Sequence, residues 1–171
     1  YVTIAERLKE AGYANAFLGK WHIAPSVARG GRVAKELSPT GQGFDVNIGG
    51  TSYGGPPSFF SPYRNAELAD GPKGEYLPDR LVDETIQFIR AKKDQPWMTH
   101  LWFYTVHWPM QAPEALLKKY ENRKGPGLND TRYGAMIEAM DASIGRLLAA
   151  LDEMGEAKDT LLIFTSDNGG F

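Results

Sequence analysis

Apolar residues along this chain recur with two different periods, and the alternation between them predicts its elements. Ile4, Leu8 and Ala11 lie at helical spacing; Thr3 stands where an N-cap belongs and Gly12 where a left-handed residue would end the turn. A short first helix is expected there, followed by an extended apolar run, YANAFLGK, that breaks at Gly19-Lys20. Leu81, Val82, Thr85, Ile86 and Ile89 form the stripe of a second helix, with Pro78 near its first turn and lysines gathered at its end. PWMTHLWFYTVHWP is β-prone up to His107-Trp108-Pro109. A short helix is expected from Pro113 to Tyr120. The longest runs from about Asp130 to Met154, with Met136, Met140, Leu147, Leu151 and Met154 on one face and Gly155 as its stop. The last segment, TLLIFTS, is apolar on both faces, as suits a strand in the middle of a parallel sheet.

Between Ala24 and Pro78 neither period survives. Gly, Pro, Ser and aromatic residues dominate, as in GFDVNIGGTSYGGPPSFFSPY. Disordered segments are poor in aromatics, so an ordered loop region on the substrate side is expected. Strands alternating with helices predict an α/β sandwich with a mostly parallel sheet. No internal repeat is visible.

Composition narrows the function classes. At 171 residues the chain fits one domain with a real core. A formal net charge of -2 gives no reason to expect nucleic acid, which would want a basic face. No apolar run approaches the roughly 18 residues of a membrane helix. Zero cysteines exclude disulfides and thiolate metal sites within these residues. The chain opens at Tyr1, without methionine, in what already reads as a helix, so its natural N-terminus is expected upstream.

The chemistry gathers at strand ends. Three candidate strands each run into a polar cluster: Gly19-Lys20-Trp21-His22, His107-Trp108-Pro109 and Asp167-Asn168-Gly169-Gly170. In open α/β sheets the ligand crevice lies beyond the carboxyl ends of the strands, so parallel strands would bring Lys20, His22, His107, Asp167 and Asn168 to one rim. A carboxylate beside an amide oxygen suits a hard cation such as Ca²⁺, and a lysine with two histidines suits a tetrahedral oxyanion. Each cluster also has a plainer reading. Asp-Asn-Gly after a strand is a common turn, His100 and His107 can be packed strand histidines, and Lys20 can be a surface lysine. Trp21, Trp108 and Phe103 are expected to pack.

Taken together the clusters resemble a family. GYANAFLGKWH resembles the G-Y-x-T-x-x-x-G-K-W-H segment of type I sulfatases, members of the alkaline phosphatase superfamily. FYTVHWPMQAP is similar to that family's strand ending in H-x-P, and DASIGRLLAALDEMGEAKDTLLIFTSDNGG to its long helix followed by F-T-S-D-N-G. FFSPY and EYLPDRLVDETIQFI resemble bacterial enzymes acting on sulfated carbohydrates. The resemblance implies an alkaline-phosphatase-like α/β/α sandwich, a formylglycine nucleophile, and Ca²⁺ held in part by Asp167 and Asn168. It implies that Lys20 contacts sulfate and nucleophile, that His22 takes a proton as the aldehyde re-forms, and that His107 binds a sulfate oxygen and protonates the leaving group. The implied substrate is a sulfated carbohydrate or aryl sulfate, and the implied location is the periplasm or exterior of a bacterium.

Departures from the pattern shape what is expected of this chain. It has no cysteine, neither Ser26 nor Ser38 sits in S-x-P/A-x-R, and Ala24 stands where the family usually has glycine. Residues 1–171 therefore read as the middle of a single sulfatase catalytic domain, cut at both ends and inactive alone. Two rivals stand beside this reading. One is a phosphodiesterase or phosphonate monoester hydrolase of the same superfamily. The other is a non-catalytic module that binds sulfated glycans, with Tyr53, Phe59, Phe60 and Tyr63 stacking on sugar or simply packing under the loop.

Overall fold

The structure is a computed structural model that describes residues 1–28, 31–123, 125–127 and 129–169. Seven elements order it: α1 (Ile4–Glu10), β1 (Ala14–Gly19), β2 (Val46–Ile48), α2 (Leu77–Lys92), β3 (Trp97–Trp102), α3 (Glu114–Tyr120) and α4 (Thr131–Met154). Short 3₁₀ turns occupy Lys35–Leu37, Pro39–Gln42 and Ala157–Asp159.

The helix ends follow the sequence signals. Thr3 and Glu6 form a reciprocal capping box on α1. Asp130 caps α4 by accepting from the Arg132 N–H, and Gly155 ends α4 at φ 74°.

Among the described residues the sheet has order β2-β1-β3 with every pair parallel. Ala16 and Leu18 sit opposite Val46 and Ile48, while Ala14 and Gly19 sit opposite Trp97 and Trp102. β1 is central and buried at every position. Its alternate side chains serve two layers. Ala16 and Leu18 join the main core with Leu77, Leu81, Met136 and Ala139 of α2 and α4, whereas Phe17 packs with Trp21, Phe44 and Ala5 of α1. Helices thus lie on both faces of a parallel sheet, the expected α/β sandwich. All five stripe residues of α2 are buried, and Val82, Ile86 and Ile89 meet Leu147 and Leu151 of α4. Polar pins fix that pairing: Ser143 and Arg146 of α4 both donate to Asp79 Oδ1, at 2.8 and 3.0 Å. Arg146 also pairs with Asp83.

Asn15, wholly buried in β1, ties α1 to the sheet by donating to the Ala5 carbonyl at 2.7 Å. Asp45 fastens the start of β2, accepting from the Asn15 N–H at 2.8 Å and from Lys9 at 2.6 Å.

Three expectations need correction. TLLIFTS is not a strand: residues 160–166 pair with no strand among the described residues, and Leu161, Ile163 and Phe164 are exposed. Apolarity on two faces makes a strand only where neighbouring strands take up its backbone groups. β3 stops at Trp102, five residues before His107: its partner β1 ends at Gly19, the Lys20 N–H makes one further bond to Trp102 O at 2.7 Å, and the chain then turns, His107 N–H donating to Tyr104 O. The stretch 24–78 carries a strand, β2, whose three residues are too few for a period to register.

Candidate active-site rim

β1 delivers Lys20 and His22 to the carboxyl edge of the sheet. Gly19 permits this, with φ 98° and with its Cα packed so tightly on the Trp102 carbonyl that a β-carbon could not be accommodated. Lys20 follows, its side chain mostly covered, and Trp21 anchors the turn by donating from Nε1 to Leu37 O at 2.8 Å. His22 is exposed and holds a left-handed backbone, φ 51°, with its N–H on Thr51 O at 3.0 Å. Non-glycine residues seldom adopt that conformation, and strain of this kind collects at functional sites.

His107 reaches the same edge from the loop after β3. Tyr104, 2 % exposed, fixes that loop by donating to Gly49 O at 2.8 Å, just past the end of β2. The link between the histidines is Gly54-Gly55. A β-carbon on Gly54 would fall 2.5 Å from His22 Cε1 and 2.8 Å from its Nδ1. One on Gly55 would fall against His107 Nδ1 and 2.6 Å from Trp108 O. Two adjacent glycines therefore leave room for the two imidazoles, each ring lying against bare backbone. The sequence reading named both histidines but missed this dipeptide; a tandem glycine inside an aromatic loop was the available signal for close approach. His22 and the glycines line a cleft of about 280 Å³ with Ser26, Ser52, Tyr53, Pro56 and Pro57.

Lys20 Nζ also lies 2.7 Å from Asp167 Oδ2. That hydrogen bond is the main reason the Asp167 carboxyl is held below the usual carboxylate range. Asn168 is exposed, its amide donating to Gly169 O at 2.7 Å while Ser166 Oγ bonds Asn168 O at 2.5 Å. Local turn bonding and the tie to Lys20 coexist at Asp-Asn-Gly. Lys20, His22, His107 and Asp167 are thus brought to one edge, and Asn168 adjoins it.

Asp167 and Asn168 offer the hard oxygen donors that Ca²⁺ takes, but two residues fall short of its roughly six to eight ligands. Among the described residues no group of three or more His, Cys, Asp or Glu is placed to hold a metal ion. The pair fits part of a calcium site and no more.

Other candidates sort differently. Phe59 and Tyr63 are core residues, and Phe60 leans on Tyr76 at 5.0 Å, so packing accounts for these three aromatics. Tyr53 lines the cleft and donates from its hydroxyl to Ala28 O at 3.1 Å. His100 packs as expected, stacked on Trp102, with its Nδ1 buried and without a hydrogen-bond partner among the described residues. Trp21 is buried and Phe103 partly so, but Trp108 is 54 % exposed and does not pack as expected.

Comparison with known proteins gives the chain its family. The Sulfatase family model matches residues 1–170. Arylsulfatase J of Mus musculus is 30% identical over 98% of the chain and 29% of its own length. N-acetylgalactosamine-6-sulfatase of Rattus norvegicus is 29% identical over 97% of the chain and 32% of its own length. The crystal structure of Ps i-CgsB in complex with k-i-k-neocarrahexaose superposes with TM-score 0.70 at 23% identity, covering 90% of the chain and 37% of that structure. The chain spans about a third of the length of these relatives. With its parallel sheet, its G-K-W-H segment at the end of β1, its D-N-G segment tied to Lys20 and a family match over nearly every residue, this chain belongs to the sulfatase family.

Proposed function

We propose that the full-length protein containing this chain hydrolyses sulfate esters on carbohydrates. The observation that carries this reading is the packing of His22 and His107 against adjacent glycines at the sheet edge that also holds the Lys20–Asp167 pair. Similarity to a named N-acetylgalactosamine sulfatase, and to a structure holding a carrageenan-type hexaose, supports the sugar.

Breaking a sulfate ester leaves charge on the departing oxygen, and groups fixed in advance where that charge develops lower the barrier. Lys20 sets its ammonium against the sulfate oxygens, restrained by Asp167. His107 donates a proton to the leaving oxygen, its ring steadied against Gly55. His22, on the neighbouring glycine, accepts a proton as sulfate departs, so the two imidazoles work in opposite senses. The formylglycine nucleophile implied by the resemblance has no counterpart in these residues; where present it supplies the attacking oxygen. Ca²⁺, held partly by Asp167 and Asn168, would add positive charge against sulfate.

The test is hydrolysis by the full-length protein of 4-nitrophenyl sulfate and of a bis(4-nitrophenyl) phosphodiester. The sulfate ester is expected to be preferred, with Lys20→Ala and His107→Ala each lowering kcat by about 10²- to 10³-fold. Preference for the phosphodiester would transfer the protein to the rival hydrolase class. Binding of sulfated glycan without any turnover would leave it a carbohydrate-binding relative.

A further inference from the structure

Trp108 is the residue that the sequence expectation misplaced. It follows His107 directly, its carbonyl oxygen 3.2 Å from His107 Nδ1 and close against Gly55, yet its indole is more than half exposed. An exposed indole beside a candidate catalytic histidine calls for a reason.

Its neighbour supplies one. The Arg132 guanidinium stands 5.5 Å from the centre of the Trp108 ring, within cation–π range. Arg132 is aimed by Asp130: Nε donates to Oδ1 at 3.0 Å and Nη2 to Oδ2 at 2.6 Å. This fork is more than helix capping requires. The Arg132 N–H already satisfies the Asp130 cap at 2.9 Å, so the guanidinium contacts add orientation rather than a second cap. Arg132 Nη1 makes no hydrogen bond among the described residues, and the side chain is 45% exposed. The result is an aromatic plate with an anchored cation on it and a donor left over, one residue from His107.

Such a pair matches a sugar ring carrying an anion. Indole faces take the C–H faces of pyranoses, and guanidinium recognises sulfate or carboxylate through directed N–H donors. We propose that Trp108 and Arg132 form a recognition platform for a second anionic group, a sulfate or carboxylate, on the carbohydrate whose ester is cleaved. The platform selects polyanionic sugars over singly sulfated ones. This inference rests on the sulfatase reading for its substrate class, but it concerns residues that take no part in bond cleavage.

The experiment uses the full-length protein, Trp108→Ala, Trp108→Phe and Arg132→Gln, with three substrates: 4-nitrophenyl sulfate, a monosulfated hexosamine disaccharide and its disulfated counterpart. Expected are a KM about tenfold higher for the disulfated sugar in Trp108→Ala and Arg132→Gln, the size of one lost stacking or charge-assisted contact. Kinetics on 4-nitrophenyl sulfate stay within about twofold of the parent, and Trp108→Phe keeps most of the affinity. Equal losses on all three substrates, or an unchanged preference between the two sugars, would overturn the platform. If the parent cleaves none of them, the sulfatase reading has failed and calorimetric binding of the disulfated disaccharide decides the platform alone. Weakening by about tenfold in the two variants upholds it; equal binding, or no binding by the parent, sinks it.

Discussion

Lys20 and Asp167 are 147 residues apart in sequence and 2.7 Å apart in space. Their ion pair joins the end of β1 to the segment near the far end of the chain, and it is the main cause of the lowered Asp167 pKa. Lys20→Met should therefore raise the Asp167 pKa toward the ordinary carboxylate range, read as the pH midpoint of its carboxyl ¹³C shift. The sign follows from the depressed pKa. The pair's contribution is present at neutral pH and is lost as pH falls through the folded-state pKa of Asp167. Because Asp167 is largely exposed, the change in overall stability should be small. An unmoved midpoint would mean that the pair does not persist in solution.

Gly54→Ala should cost the full-length protein about 10²-fold in kcat on an aryl sulfate, with little change in Tm, because the atoms nearest the added methyl all belong to the His22 ring. Gly55→Ala should lower both kcat and Tm, since its methyl meets the Trp108 backbone carbonyl as well as His107. A large fall in Tm in Gly54→Ala would point to a folding role for that glycine instead.

Tyr104→Phe tests the anchor beneath His107. The buried hydroxyl donates to Gly49 O and also shares a hydrogen bond with Thr51 Oγ1 at 3.3 Å; the Gly49 carbonyl still accepts from Asn65 Nδ2 at 2.9 Å and would not be orphaned. The expected loss is therefore about 2 kcal/mol in denaturant unfolding, the ordinary worth of two hydrogen bonds.

His100 should make the fold sensitive to mild acid. Burial pushes its pKa below the usual 6.5, so the unfolded chain takes up this proton first as pH drops. The contribution of His100 is intact above about 6.5 and is lost as pH falls from there through its folded-state pKa. Stability measured from pH 8 to 5 should decline less steeply in His100→Phe than in the parent.

The exposed run Leu161–Phe164 should make the isolated 171-residue chain self-associate. Unpaired backbone and apolar side chains together form a template for strand addition. Ile163→Lys with Phe164→Lys should lower light scattering and dye binding. A monomer before substitution would count against this.

Much of the fold was legible because helices announce themselves locally. Thr3, Asp130 and Gly155 act at the positions where the sequence put them, and the stripe from Leu81 to Ile89 is buried as its spacing predicts. What escaped depends on partners distant in sequence. Val46–Ile48 is a strand because Ala16–Leu18 pairs with it and Asp45 is fastened to Asn15, none of which a three-residue run can advertise. TLLIFTS carried every local mark of a strand and lacks neighbours among the described residues. At the rim, the residue types Lys20, His22, His107 and Asp167 were readable. The glycine pair against which the two histidines lie was not, because glycine speaks only through what lies against it.

Leaving two successive positions bare has a steric consequence. The space that a side chain at residue 54 would need is already taken by the His22 ring, so a loop residue between β2 and α2 is tied in its permitted size to a histidine that arrives from the end of β1. The two positions should therefore be coupled in substitution: a smaller residue in place of His22 opens the room that a larger one at 54 requires.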